Sequence, residues 1–145
     1  MQSYLFGFVA LAVVTVGVGW LGKAMIESEP AADLEFWHAG YYRDDTMNRL
    51  FTIAFLPSAT ESDVVRYAEQ LTYTQGHTTV AFFYPEDSRI PSTAVIDAAS
   101  LADAKQALRA VTGASPWRYA TLRDESGTLR LVDCESAPND ALCRH

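Results

Sequence analysis

The sequence HTTVAFFY at residues 77–84 is the starting point for predicting the fold of this 145-residue chain. From Val80 onward it is almost wholly apolar, which is typical of a strand that is covered on both faces. A turn-forming sequence, Pro-Glu-Asp-Ser-Arg, follows at residues 85–89. We therefore predict that residues 77–84 form a central strand of a sheet.

A strand and a helix are predicted before this central strand. Residues 50–56 place alternate aromatic or branched side chains on one side, which is typical of a strand. A capping box then opens a helix, as either Ser58-x-x-Glu61 or Thr60-x-x-Asp63. The first half of the domain is thus predicted to be β-α-β.

Further elements are predicted after the central strand. Residues 93–97 indicate a short strand, and Ser100 has the position of an N-cap for a second helix. Residues 117–123 and 128–133 are predicted to be strands, because Asp-Glu-Ser-Gly between them is a strong hairpin signal. The last four elements are therefore β, α, β and β.

The complete order is β-α-β-β-α-β-β, which belongs to the α+β class. A ferredoxin-like sandwich with a split β-α-β unit and one added C-terminal strand fits this order and its short connections. A three-layer α/β domain is the alternative arrangement. This globular domain is predicted to span residues 48–145.

The segment before the domain is rich in aromatic residues and is predicted to form an amphipathic helix. The residues of its apolar stripe recur at i, i+3, i+4, i+7 and i+8: Leu34, Trp37, His38, Tyr41 and Tyr42. Such a stripe forms a docking surface for a partner or for the membrane. Packing on the domain's own core, with His38 in an aromatic cluster, is the alternative.

The N-terminal residues are predicted to cross a membrane. Residues 4–22 carry no charge, and about 20 apolar residues are needed for a helix to span the hydrocarbon core. No Lys or Arg stands at positions 1–3, and no A-x-A site follows, so a cleaved signal peptide is disfavoured. We expect a retained anchor over residues 1–28 and a connector over residues 29–47.

Small residues in this predicted span favour contact with another helix. Ala12, Thr15, Gly19 and Gly22 follow one another at spacings that keep them on one face. Small side chains allow two helix backbones to approach closely in lipid. They are also common in any membrane helix, which is the alternative explanation.

Cys134 and Cys143 enclose a short polar loop near the C-terminus. Together with His145 they supply three ligands, whereas a structural zinc site needs four. A local disulfide is the better prediction, and disulfides persist outside the cytosol. We therefore expect an inner-membrane, single-pass protein with a periplasmic C-terminal domain. Two unrelated thiols in a cytoplasmic domain are the alternative.

The formal net charge of −7 restricts the class of partner. It disfavours nucleic acid, because phosphate backbones need a cationic surface. It suits a basic soluble protein, although charge also serves solubility alone. His38, His77 and His145 have no metal-ligand spacing, and no nucleophile or phosphate-loop motif is present. We expect no enzyme activity, no metal and no cofactor.

These features lead to two functional hypotheses. The first is a non-catalytic accessory or assembly subunit of an integral membrane protein complex in respiratory or photosynthetic electron transport, held in the lipid bilayer. The second is a membrane-tethered periplasmic binding or sensing domain, which needs a concave pocket lined by polar groups.

Overall fold

A computed structural model describes residues 35–91, 98–111, 113–114 and 116–144. Within them the chain is α+β, as predicted. The elements are β1 (Phe36–Arg43), β2 (Arg49–Phe55), α1 (Glu61–Gln70), β3 (Thr79–Pro85), α2 (Leu101–Ala110), β4 (Tyr119–Arg123) and β5 (Leu129–Asp133).

The five strands of the described residues form one mixed sheet, in the order β1-β2-β3-β4-β5. β2 and β3 are parallel, and the other neighbouring strands are antiparallel. The prediction that residues 77–84 supply a central strand is confirmed, because β3 has β2 on one side and β4 on the other. Its side chains are buried from Thr79 to Tyr84, since each face of the strand meets a different helix.

The two helices lie on opposite faces of the sheet. Val64 and Ala68 of α1 belong to the same buried cluster as Phe83. Leu108 of α2 belongs to the other cluster, which contains Phe82. Consecutive strand residues point to opposite faces, so the order of layers is helix, sheet, helix. This is the arrangement of the three-layer alternative.

The ferredoxin-like expectation is wrong in its sheet order. A split β-α-β unit requires another strand between the two strands that the helix connects. Here α1 connects β2 and β3, which pair directly through Leu50↔Val80 and Ile53↔Phe83. Strand order joins residues that are distant in the chain, whereas hydrophobic periodicity identifies one element at a time.

The helix predicted for the aromatic segment is also wrong, because residues 36–43 form β1 and pair antiparallel with β2. A register shift between His38 and Gly40 is typical of a β-bulge. The shift places Phe36, His38 and Tyr41 on the α1 face, opposite Phe55, Ile53 and Phe51 respectively. The bulge thus breaks the strict alternation that identifies a strand in sequence.

Several local predictions are confirmed. Thr60 and Asp63 form the reciprocal capping box of α1, which decides between the two predicted starts. The Ser100 hydroxyl caps α2 by accepting from the Asp103 N–H. Asp124 and Gly127 lie in the tight turn between β4 and β5, as the hairpin signal predicted. These elements were predicted because their signals are contained in a few adjacent residues.

Three predictions fall outside the described residues: the membrane span over residues 1–28, its packing stripe, and the strand over residues 93–97. The packing stripe comprises Ala12, Thr15, Gly19 and Gly22. Neither helix in the part of the chain that the structure describes has the length and hydropathy for a bilayer crossing. The anchor therefore stays a prediction from sequence.

Candidate functional site

The β1 aromatic edge, defined as Trp37, His38 and Tyr41, is the candidate contact site. Trp37 is 39% exposed and Tyr41 is 45% exposed, and they are the large hydrophobic side chains that the described surface leaves most open. Tyr42 was predicted to share this surface, but it is 5% exposed and packs in the α2-side core. Leu34 lies outside the described residues.

Because of the bulge, the exposed side chains of β1 point to both faces of the sheet. Trp37 pairs with Ala54 and points to the α2 side, whereas Tyr41 pairs with Phe51 and points to the α1 side. The Tyr41 and Phe51 ring centroids are 4.9 Å apart. A partner that approaches the sheet edge-on therefore meets an exposed aromatic ring above and below β1.

His38 contacts aromatic residues of the α1-side core. Its ring meets the edge of Phe51 at 5.3 Å and lies 6.2 Å from Tyr67. His38 thus lies against aromatic rings on one side, although the residue itself is exposed. Desolvation by these neighbours lowers the pKa of His38 below its ordinary value. The imidazole is thus neutral at neutral pH, and the edge carries no cation at its centre.

The outer backbone of β1 is a second component of the site. β1 pairs with β2 along one side, and no strand among the described residues pairs with its other side. Edge strands present unpaired N–H and C=O groups that can accept another extended chain. β1 contains neither Lys nor Pro, which commonly protect such edges, and Arg43 is its single charged residue.

The turn after β1 holds the end of this edge in place. The Asp44 carboxylate accepts hydrogen bonds from the Asn48 backbone and side-chain N–H groups and from the Thr46 hydroxyl. Desolvation opposes ionisation, but these hydrogen bonds outweigh it and lower the pKa of Asp44. Met47 completes the turn with a φ of 68°. The hydrogen bonds of Asp44 therefore stabilise the turn between β1 and β2.

The predicted disulfide is confirmed: Cys134 and Cys143 are joined, with an S–S distance of 2.04 Å. Both residues are buried in the α2-side core. Beside them, the Trp117 indole donates to the Leu142 carbonyl oxygen at 2.9 Å. The disulfide therefore has a structural role: it holds the C-terminal segment against the α2-side core.

A cavity of about 280 Å³ lies at the end of α2, and sequence analysis missed it. Its walls include Tyr84, Leu108, Arg109, Val111, Pro116 and Trp117. The Tyr84 hydroxyl is buried and has no hydrogen-bond partner among the described residues. No short motif links these positions, so a single sequence holds no signal for the cavity.

Within the described ranges, no group of three His, Cys, Asp or Glu side chains is arranged to hold a metal ion. The expectation that the protein needs no metal or cofactor stays a prediction. The chain matches no protein-family model, no curated protein and no solved structure.

Proposed function

We propose that this chain is a non-catalytic accessory or assembly subunit of a larger integral membrane protein complex, and that it acts through the β1 aromatic edge. Exposed Trp37 and Tyr41 support this proposal, since they lie on a strand whose outer side pairs with no other strand among the described residues. Interface cores are enriched in Tyr and Trp and depleted of Lys and Glu. The composition of β1 agrees with that pattern.

The predicted anchor determines where such an edge can act. If the span ends at residue 28, seven residues separate it from Phe36, the first residue of β1. A fully extended chain covers about 3.3–3.6 Å per residue, so this linker reaches roughly 25 Å. The length of this linker alone therefore sets an upper limit on how far Phe36 can lie from the end of the predicted span.

The proposed compartment follows from the disulfide. A buried bond between Cys134 and Cys143 suits an oxidising environment, which supports a periplasmic domain on an inner-membrane anchor. The formal charge of −7 supports a basic partner surface. Assignment of the complex to respiratory or photosynthetic electron transport is part of the proposal and rests on this architecture alone.

Substitution of the exposed rings tests the contact. The full chain carrying Trp37→Ser and Tyr41→Ser is expected to reach normal membrane levels, because neither side chain belongs to a buried cluster. Truncating an aromatic hot spot costs about 2 kcal/mol or more, so recovery of partner subunits should fall by about tenfold or more. Mild-detergent purification followed by quantitative mass spectrometry measures that recovery.

Two control variants make the result specific. Trp37→Phe with Tyr41→Phe keeps the aromatic rings and should retain most of the partner. Gln106→Ser changes an exposed side chain on α2 and should retain all of it. The edge is not the contact surface if the serine variant recovers the same partners in the same amounts as the wild type.

A second candidate function is the membrane-tethered periplasmic binding or sensing domain. The cavity lined by Tyr84 favours it, because a concave site with a buried polar group is the feature such a domain requires. The two functions use different surfaces. They are therefore separable by variants of β1 on one hand and of the cavity on the other.

A further inference from the structure

The cavity at the end of α2 combines an apolar body with polar groups. Leu108 and Val111 come from α2 and its C-cap, and Pro116 and Trp117 come from the segment before β4. The Trp117 ring is held in place by the Phe82 ring at 4.3 Å and by its hydrogen bond to Leu142. These contacts fix the position of the Trp117 ring as one wall of the cavity.

Tyr84 supplies an unused hydrogen-bond donor in this wall. Its side chain is fully buried, and its hydroxyl has no hydrogen-bond partner in the part of the chain that the structure describes. Desolvation raises the pKa of Tyr84, so the hydroxyl keeps its proton. A buried polar group without a partner destabilises the fold, because it loses its hydrogen bond to water. A bound acceptor would remove that penalty.

The second polar group is cationic. The Arg109 guanidinium donates through Nη2 to the Ala141 carbonyl oxygen at 2.8 Å, and no carboxylate among the described residues pairs with it. Lys105, one turn earlier on α2, has a pKa lowered by desolvation and by the charge of Arg109. No Asp or Glu is among the described residues that line the cavity. The cavity therefore has a positively charged lining, although the chain has a formal net charge of −7.

We propose that the cavity binds a small monocarboxylate with a short apolar or aromatic body. The carboxylate would accept hydrogen bonds from Tyr84 and Arg109, and the body would pack between Leu108 and Trp117. Drug-sized ligands occupy pockets of about 300–1,000 Å³, so about 280 Å³ suits a smaller molecule. This site is independent of the contact that β1 is proposed to make.

Benzoate and its neutral counterpart benzamide test the proposal on the full chain in maltoside micelles. The chain has three tryptophans, so amide-correlation NMR shows three indole N–H signals. Trp20→Phe and Trp37→Phe assign two of them, and the third belongs to Trp117. Benzoate should shift the Trp117 signal saturably and leave Trp37 unchanged. A shift of Trp20 would report partition into the micelle.

Benzamide and two variants then measure how much the ligand's charge, the Tyr84 hydroxyl and the Arg109 guanidinium each contribute to binding. Hydrogen bonds to charged groups contribute about 1.5–3 kcal/mol, so benzamide, Tyr84→Phe and Arg109→Gln should each weaken binding by about tenfold or more. Arg66→Gln on α1, at the other face of the sheet, should bind benzoate like the wild type. Benzamide binding equal to benzoate, unchanged affinity in Tyr84→Phe or Arg109→Gln, or no saturable shift of Trp117 would overturn the proposal. If either variant is unfolded, the comparison of benzoate with benzamide on the wild type decides.

Discussion

The Trp117 indole nitrogen donates to the Leu142 carbonyl oxygen at 2.9 Å, and this hydrogen bond is buried. It joins the start of the β4–β5 hairpin to the last buried segment of the described chain. Cys143 is the next residue, and its disulfide to Cys134 closes the same segment from the other side. The C-terminal segment thus completes the α2-side core.

The first prediction concerns this disulfide. Changing both Cys134 and Cys143 to Ser should lower the free energy of unfolding by about 2–3 kcal/mol, because a closed loop of about ten residues restricts the unfolded chain. Urea unfolding of the full chain in detergent, followed by near-ultraviolet circular dichroism, measures the change. Reductant should bring the wild type to the level of the variant. Equal stability of the two proteins without reductant would contradict the prediction.

The second prediction uses two tyrosines with opposite surroundings. Tyr84→Phe should raise the free energy of unfolding by about 1 kcal/mol, because it removes a buried hydroxyl that has no described partner. Tyr73→Phe should lower it by about 1 kcal/mol, because the Tyr73 hydroxyl is 3.1 Å from the carbonyl oxygens of Asp124 and Glu125. Urea unfolding in ligand-free buffer compares them. A loss of stability in both variants would show that Tyr84 has a hydrogen-bond partner.

The third prediction concerns backbone strain in the β1–β2 turn. Met47 has a φ of 68°, a left-handed conformation that costs a residue with a Cβ about 1–2 kcal/mol. Met47→Gly should therefore stabilise the protein by about 0.5–1 kcal/mol, after the larger unfolded-state entropy of glycine is subtracted. Asp45→Gly, in the same turn, gains no such relief and should be neutral or destabilising. A stabilisation by Asp45→Gly that matches the effect of Met47→Gly would argue against strain at Met47.

Local signals explain which parts of the fold were predictable. The Thr60 capping box, the Ser100 cap, the Asp124 turn and the disulfide each depend on residues within about ten positions of one another. β1 was missed because its bulge gives the aromatic residues a helix-like spacing. A strand pattern without the bulge would have alternated regularly.

Non-local pairing explains what sequence reasoning missed. The direct β2–β3 pairing and the cavity formed by Tyr84, Arg109 and Trp117 both depend on residues that are distant in the chain. Periodicity describes one element at a time, so it gives neither strand order nor the residues that share a cavity. Trp37 and Tyr41 were predicted from a helix-like spacing to belong to a docking surface, and both are exposed, but they lie on a strand and not on a helix.

The fourth prediction is a pH dependence centred on His38. Its folded-state pKa lies below the unfolded value of about 6.5, so the unfolded chain binds the proton more readily. The contribution to stability is therefore complete above about pH 6.5 and decreases as the pH falls toward the folded-state pKa. His38→Gln should lose less stability than the wild type between about pH 7.5 and 5.5. Urea unfolding at each pH measures this, and parallel profiles would contradict it.

The last prediction concerns the predicted membrane span and tests whether it contacts another helix. Ala12, Thr15, Gly19 and Gly22 lie on one face of that predicted helix, where small side chains permit close backbone approach. Gly19→Leu keeps the span apolar and equally long, so insertion should be normal. The isobutyl group would, however, force a neighbouring helix away. Recovery of partner subunits in mild detergent should therefore fall with Gly19→Leu and stay unchanged with Val13→Leu, which adds bulk away from that face. Equal recovery with both variants would remove the predicted helix contact and leave the β1 aromatic edge as the surface that a partner binds.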